Sequence, residues 1–407
     1  MQNTRPNEFI ALVAMLTALV AMSIDTMLPA VGLIASELHA AHPNDRQLVV
    51  LAFFGGMMIG TLIFGPVSDS VGRKPAIYAG LVFYIAGALV CMFSTSFPIL
   101  IAGRLLQGFG AASPRIVSMA MVRDGAKGAE MARIMSFVMS IFMLVPILAP
   151  SVGQLVLYVA SWRYIFTGFI VAAIIGCVWL ATRQVETLDK DKRLPFSARI
   201  LASSAADVIR NPVSFGYTMA VGFIFSAFVT YLGTCQQIFA EQYNQGDYFA
   251  LWFGGLAIGI AISMILNGKY VVSVGMRKLS KWALWGFVID WVVMLLLCLI
   301  FNGHPPLPVL GIILFVSFFT SGMIFGNYNA MAMEPMGHIA GMAAAVSGAI
   351  SSLISVVLGG LAGRYYDGTM FPLTIAFVLF GFGALACAEW AERGRRQSAR
   401  LAQKSHA

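Results

Sequence analysis

Residues 48–75 read LVVLAFFGGMMIGTLIFGPVSDSVGRKP: some twenty mostly apolar positions, then an aspartate and two cations within a few residues. An apolar run of this length is what a helix needs to cross a bilayer. In hydrocarbon the backbone must satisfy its own hydrogen bonds, so the run is read as a membrane-spanning helix over 47–68. Part of it recurs. Phe54-Gly55-Gly56-Met57-Met58-Ile59-Gly60 returns as Phe253-Gly254-Gly255-Leu256-Ala257-Ile258-Gly259. Gly65 and Gly72, before Arg73-Lys74, return as Gly268 and Gly275, before Arg277-Lys278. The first match is displaced by 199 residues and the second by 203, a difference of about one helical turn. A parallel repeat of this kind predicts two related halves, with binding residues near the midplane where they meet, as in secondary transporters. The glycines also have a plainer reading, as small residues that let membrane helices approach closely.

The rest of the chain follows the same pattern. Apolar residues make up 59% and charged ones 11% of its 407 residues, against roughly 45–50% and 25% in soluble domains. Further spans are read at 9–35, 75–95, 97–122, 132–157, 162–182, 213–239, 247–268, 279–301, 306–333, 341–363 and 370–391. The expected fold is therefore an all-α membrane protein of twelve transmembrane helices in two six-helix halves. The halves are residues 1–182 and 213–392, joined by a polar linker, 183–212, and followed by a basic tail, 393–407. No run shows the short apolar–polar alternation of a membrane β-barrel. The first apolar run is too long for a cleaved leader's apolar core and is read as a retained span.

The formal charge of +8 has a topological explanation. Counting Lys and Arg by loop puts 21 on one side, including six in the linker and five in the tail. Arg46, Arg163 and Arg364 are the three on the other side. The positive-inside rule then places both termini and the linker in the cytoplasm, and a nucleic-acid partner is unnecessary. The five cysteines all lie in apolar blocks without metal-ligand spacing and are read as packing residues. With no P-loop and no nucleophile–base constellation, neither an enzyme nor a cofactor is expected. A monomer in the lipid bilayer is.

The loop Gly65-Pro66-Val67-Ser68-Asp69-Ser70-Val71-Gly72-Arg73-Lys74-Pro75 carries its own chemistry. Its glycines permit a tight turn, and Asp69 offers a carboxylate to helix N-termini and arginines. A plain solvated basic loop is the competing reading. The loop resembles the signature between spans 2 and 3 of the major facilitator superfamily. Ser23-Ile24-Asp25-Thr26-Met27-Leu28-Pro29, Arg104-Leu105-Leu106-Gln107-Gly108-Phe109-Gly110 and Val122-Arg123-Asp124 resemble its drug:proton antiporters of the Bcr/CflA type. Val145-Pro146-Ile147-Leu148-Ala149-Pro150-Ser151-Val152-Gly153-Gln154 is similar to the antiporter helix motif, with Ala149 and Gln154 departing from it. The resemblance implies a cytoplasmic gate at Gly65, Asp69, Gly72, Arg73 and Lys74, and an antiporter helix carrying Pro146, Pro150 and Gly153. Gly108-Phe109-Gly110 is no nucleotide fingerprint, because no strand precedes it.

Charges inside spans are costly and mark functional candidates. Asp25, Arg104, Arg115 and Asp290 fall there. At about 1.5 Å per residue, Asp25 and Arg104 come to similar depths, roughly 20–24 Å from the inner face, so they are able to pair. The expectation is a proton site on Asp25, with Arg104 tuning its proton affinity; a permanent structural ion pair is the alternative. Asp290 is a second proton-coupling candidate, or a peripheral residue turned to a polar neighbour. Arg115 either contacts substrate or snorkels to cytoplasmic phosphates. Phe228, Tyr231, Gln236, Gln237, Asn327, Tyr328 and Asn329 are pocket candidates, of which Tyr231, Gln237 and Asn327 join Arg115 as the substrate-binding set. The leading functional expectation is proton-coupled export of amphipathic small molecules. The alternative is proton symport of a small, anionic metabolite held by the arginines.

Overall fold

The structure, a computed structural model, describes residues 6–405 except 127, 194 and 196. Arg5 and Lys127, counted in the basic census, lie outside the described residues. Regular structure among the described residues is wholly helical. The first part of the chain forms α1 (Pro6–Asp25), α2 (Val31–Glu37), α3 (Leu48–Val71), α4 (Arg73–Met92), α5 (Phe97–Gly125), α6 (Gly128–Val159) and α7 (Arg163–Arg183). The remainder forms α8 (Ala198–Arg210), α9 (Pro212–Gln236), α10 (Phe249–Val274), α11 (Met276–Ile300), α12 (Leu307–Met333), α13 (Ala340–Arg364) and α14 (Phe371–Ser405).

Eleven stretches of these are long and apolar enough to cross a membrane, the first of them joining α1 and α2 as Asn7–Glu37. The twelfth span is α5. At 29 residues it is amply long, but Arg104, Gln107, Ser113 and Ser118 on its buried faces dilute its hydropathy. The all-α membrane architecture expected from the sequence is thus present.

The chain divides into two compact units, Met1–Ser197 with Cys235–Gly254, and Ala198–Thr234 with Gly255–Ala407. The first boundary falls within the polar stretch 183–212, whose second half is not a plain linker but the helix α8. The expected halves and the observed units differ at Cys235–Gly254, the end of α9 and the start of α10. This segment is held in the first unit by polar contacts. Arg46 donates from Nη1 to Gln236 Oε1 at 3.0 Å and pairs with Glu241. Gln237 Nε2 donates to Asn44 Oδ1 at 2.9 Å, and Gln154 Nε2 to the carbonyls of Gly246 and Asp247.

In the first unit, α3 and α4 pack along α5. A Cβ built on Gly56 would stand 1.9 Å from the Leu105 carbonyl oxygen, and one on Gly60 2.4 Å from that of Phe109. The repeat's glycines in α3 therefore serve close packing. Gly255, the counterpart of Gly56, has open space in the corresponding direction, so the sequence repeat does not extend to this contact. In the second unit α11 packs on α12 and α14 around an aromatic core. The rings of Trp291 and Phe377 lie 4.2 Å apart, and Trp291 Nε1 donates to Ser317 Oγ at 2.8 Å.

Candidate functional site

The first apolar span does not run through as one helix. Pro29 has no N–H, so the Asp25 carbonyl loses its usual donor four residues on. The Met27 N–H turns back to the Ile24 carbonyl, and residues Leu28–Ala30 tighten into a 3₁₀ turn before α2 resumes. The Ser23 carbonyl is left without the Met27 donor that an unbroken helix would supply. Arg104 of α5 takes that place. Its Nη2 donates to Ser23 O at 3.0 Å, its Nε to Val49 O at 3.0 Å and its Nη1 to Gln107 Oε1 at 2.7 Å. The guanidinium also lies over the Phe53 ring, 4.7 Å from its centroid, and the residue has no solvent exposure. Beside it, Ser23 Oγ and Tyr84 Oη share a hydrogen bond of 2.6 Å.

Asp25 lies at the break itself, 5% exposed. Among the described residues no group hydrogen-bonds its carboxyl and no cation pairs with it. The Asp25–Arg104 pair allowed by the depth estimate is not made in this conformation. The arginine instead donates to two backbone carbonyls and one side-chain amide oxygen. The opposite wall of the break belongs to α6. A Cβ on Gly153 would come within 2.0 Å of the Thr26 carbonyl oxygen, so glycine is required for α6 to reach the break. Pro150 and Gly153 are buried and Pro146 is half-buried. The antiporter-like motif and Asp25 are thereby brought together.

Arg115 lies 11 residues further along α5 and is exposed. Its Nη1 approaches Met57 Sδ at 3.8 Å, and no carboxylate among the described residues pairs with it.

The gate candidates form a compact charge network. Gly72 ends α3 at φ +110°, a conformation that favours glycine. Glu186, which follows α7, caps the new helix: its carboxylate accepts from the Arg73 and Lys74 backbone N–H groups at 2.9 and 3.0 Å. The Arg73 side chain pairs with Asp69 and, at 2.8 Å, with Asp124 at the end of α5, and donates to Ser68 Oγ at 2.8 Å. Lys74 Nζ donates to the Gln184 carbonyl. All these partners belong to the first unit. Asp69 thus serves Arg73, while the helix-capping role falls to Glu186. Neither Glu186 nor Asp124 was singled out as a gate residue. Their signal was positional, since each carboxylate closes a span on the basic side. Gly65 sits in α3 with open space beside it.

The remaining candidates are dispersed. Gln237 is buried in a π-helical turn, Gln237–Gln242, bonded to Asn44 in the first unit. In the second unit Asn327 and Asn267 exchange amide hydrogen bonds of 2.9 and 3.1 Å. Phe228 and Tyr231 pack around Phe318 and border a void of only ≈ 10 Å³, room for about one water. In this conformation they are packed core. Asp290 in α11 is buried, and its Oδ2 has no hydrogen-bond partner among the described residues.

The comparisons with known proteins bear on this arrangement. Residues 13–360 match the Major Facilitator Superfamily. The chain belongs to that family. It is 30% identical to the uncharacterized MFS-type transporter YdgK of Bacillus subtilis, over 92% of this chain and 93% of that one. It is 27% identical to the bicyclomycin resistance protein homolog of Haemophilus influenzae, over 92% of each. The multidrug resistance protein MdtL of Citrobacter koseri is 24% identical over 80% of each chain. Among solved structures, the fold matches the E. coli xylose transporter XylE in a partially occluded inward-open conformation. The TM-score is 0.71 at 12% identity, over 96% of this chain and 99% of that one. The human organic anion transporter MFSD10 gives 0.70 at 16%, over 95% and 100%. This major facilitator protein is a multi-pass membrane transporter of small molecules, not an enzyme, and its drug-resistance relatives agree with the Bcr/CflA resemblance.

Proposed function

We propose that this transporter exports amphipathic small molecules across a bacterial inner membrane in exchange for protons, with both termini and the linker in the cytoplasm. The observation that carries this reading is Asp25. It is a buried carboxyl with no salt-bridge partner among the described residues, set at a helix break that the α6 motif reaches through Gly153. Proton uptake there removes a buried charge and proton release restores it, so occupancy by a proton biases how α1, α5 and α6 pack. Substrate and proton compete for one cavity, and the Arg73 network gates its cytoplasmic side. Tyr231, Gln237 and Asn327 reach the substrate in other conformations of the cycle, and Asp290 is a second carboxyl available for coupling. The protein acts as a monomer, without cofactor or nucleic acid. The names of the drug-resistance relatives support the choice of substrate class.

One observation favours a second reading, proton-coupled import of a small anion. Arg115 is exposed on a spanning helix without a carboxylate partner among the described residues. Everted membrane vesicles with an imposed pH gradient separate the two, using a panel of lipophilic cations, bicyclomycin and small organic anions. Export predicts gradient-dependent accumulation of an amphipathic compound that collapses with an uncoupler. Accumulation of an anion confined to right-side-out vesicles would favour import. Reporter fusions at Lys404 and in the linker should both register the cytoplasm, and a periplasmic signal from either would overturn the topology.

A further inference from the structure

The second unit contains a cavity of ≈ 670 Å³ between α11 and α14, away from every candidate above except Tyr328. Its lining is graded. At one end stand the cations Lys278 and Lys281 of α11 and Arg396 of α14, with Arg277 and Arg395 behind them. At the other stand Trp285, Phe382 and Leu385. Residues 278, 281 and 285 follow one face of α11, and 382, 385, 389, 392 and 396 one face of α14. The two helices present their charges at the same end although α14 runs from apolar to charged and α11 from charged to apolar.

Charge balance identifies the kind of occupant. Five cations line the cavity against two carboxylates. Glu392 is occupied by Arg277 at 2.9 Å and Arg395 at 2.8 Å, and Glu389 is paired with Arg393. Lys278, Lys281 and Arg396 make no ion pair among the described residues; Lys278 rests over the Trp282 ring at 4.9 Å. The apolar wall continues beyond the cavity as an exposed band: Ile289 is 57%, Leu296 55% and Leu379 63% exposed. A soluble anion would use the cations and leave the band bare. A molecule with an anionic head and long hydrocarbon chains uses both. Trp282, Trp285 and Trp390, each about half exposed where the charged end gives way to the apolar wall, are the aromatic anchors of a membrane–water interface.

We propose that this cavity is a binding site for an anionic phospholipid. The phosphate lies among Lys278, Lys281 and Arg396, and the acyl chains lie along Trp285, Phe382 and the band beyond. Basic pockets between spans on the cytoplasmic side are where such headgroups bind. The leaflet follows from the cytoplasmic tail proposed above; the site itself does not depend on it. Because Arg277 and Arg395 border the same cavity and hold Glu392, an occupied site offers them a competing anion at the root of α14.

The test is lipid retention by the full-length protein, taken from nanodiscs of equal phosphatidylglycerol and phosphatidylcholine and read by native mass spectrometry. Preferential retention of phosphatidylglycerol is expected. Each of Lys278→Gln, Lys281→Gln and Arg396→Gln should weaken that retention about five-fold, and Lys281→Arg should preserve it. All three side chains are exposed, so folding should survive, and unchanged thermal unfolding of the variants checks this. Trp285→Ala should lower retention of phosphatidylglycerol without making it sensitive to inorganic phosphate. Equal retention of the two lipids, or wild-type retention by the triple glutamine variant, would overturn the site. Displacement of phosphatidylglycerol by millimolar inorganic phosphate would do so too, assigning the cations to a soluble anion. A periplasmic signal from the tail reporter would change the leaflet and not the binding, which keeps the two readings separable.

Discussion

Two arginines stand at equivalent places in the repeat and are held differently. Arg73 opens α4 just after a positive-φ glycine, Gly72, and Arg277 lies in the first turn of α11 after Gly275, at φ +91°. Each reaches a carboxylate at the end of a span, Asp124 in the last turn of α5 and Glu334 just after α12. Each also has a carboxylate from the end of its unit's last span. Glu186 meets the Arg73 backbone, while Glu392 meets the Arg277 side chain at 2.9 Å. Among the described residues each arginine side chain pairs with two carboxylates, Arg73 with Asp69 and Asp124 and Arg277 with Glu334 and Glu392, and Arg73 adds Glu186 at its backbone N–H. Three residues before Gly275 stands Val272, which is 90% exposed. The Arg73 side chain is 8% exposed and the Arg277 side chain 34%. One network is an enclosed clamp and the other an open brace. The two halves share the arginine's place in the fold, and the more enclosed arginine is in the first half.

That asymmetry sets an order of sensitivity. Arg73→Ala strands Asp124 and Asp69 in a half-enclosed site and should cost about 3 kcal/mol, seen as a lower unfolding temperature in detergent and loss of transport. Arg277→Ala removes a pairing that water already screens. A cost of about 1 kcal/mol is expected in the same measurement, and equal losses for the two arginines would erase the distinction. Asp69→Asn should change stability least, by less than about 1 kcal/mol, because the side chain is 45% exposed and Arg73 keeps Asp124. Transport by this variant should nonetheless fall sharply while membrane insertion stays normal. Wild-type transport would reduce Asp69 to a surface ion pair.

The spans were legible because hydropathy in blocks of bilayer length admits one structure. Even α5, the least apolar, was found between its neighbours. The break in α1 was written in Pro29, whose missing N–H was a visible signal, but its consequence lay in backbone acceptors. Arg104 satisfies carbonyls of Ser23 and Val49, and no inventory of side chains reveals such partners. Similar depth for Asp25 and Arg104 was therefore a necessary condition for pairing and not a sufficient one. The amphipathic helix α8 was hidden in the polar linker, since its turns alternate small, charged and apolar residues without a long hydrophobic run. Asn327 and Gln237 were singled out as polar residues in apolar surroundings. Their partners Asn267 and Asn44 are 60 and 193 residues away in sequence, a distance that periodicity does not bridge.

The account rests most heavily on Asp25 as the carrier of the coupled proton. The direct measurement compares wild type and Asp25→Asn in proteoliposomes with an imposed pH gradient, recording gradient-driven accumulation beside equilibrium binding of the same compound. The amide is nearly isosteric with the acid and cannot cycle a proton. Loss of gradient-driven accumulation with binding within about two-fold of wild type is the predicted result. Accumulation by Asp25→Asn at the wild-type level would contradict the account and move the proton site elsewhere, with Asp290 the next carboxyl to examine.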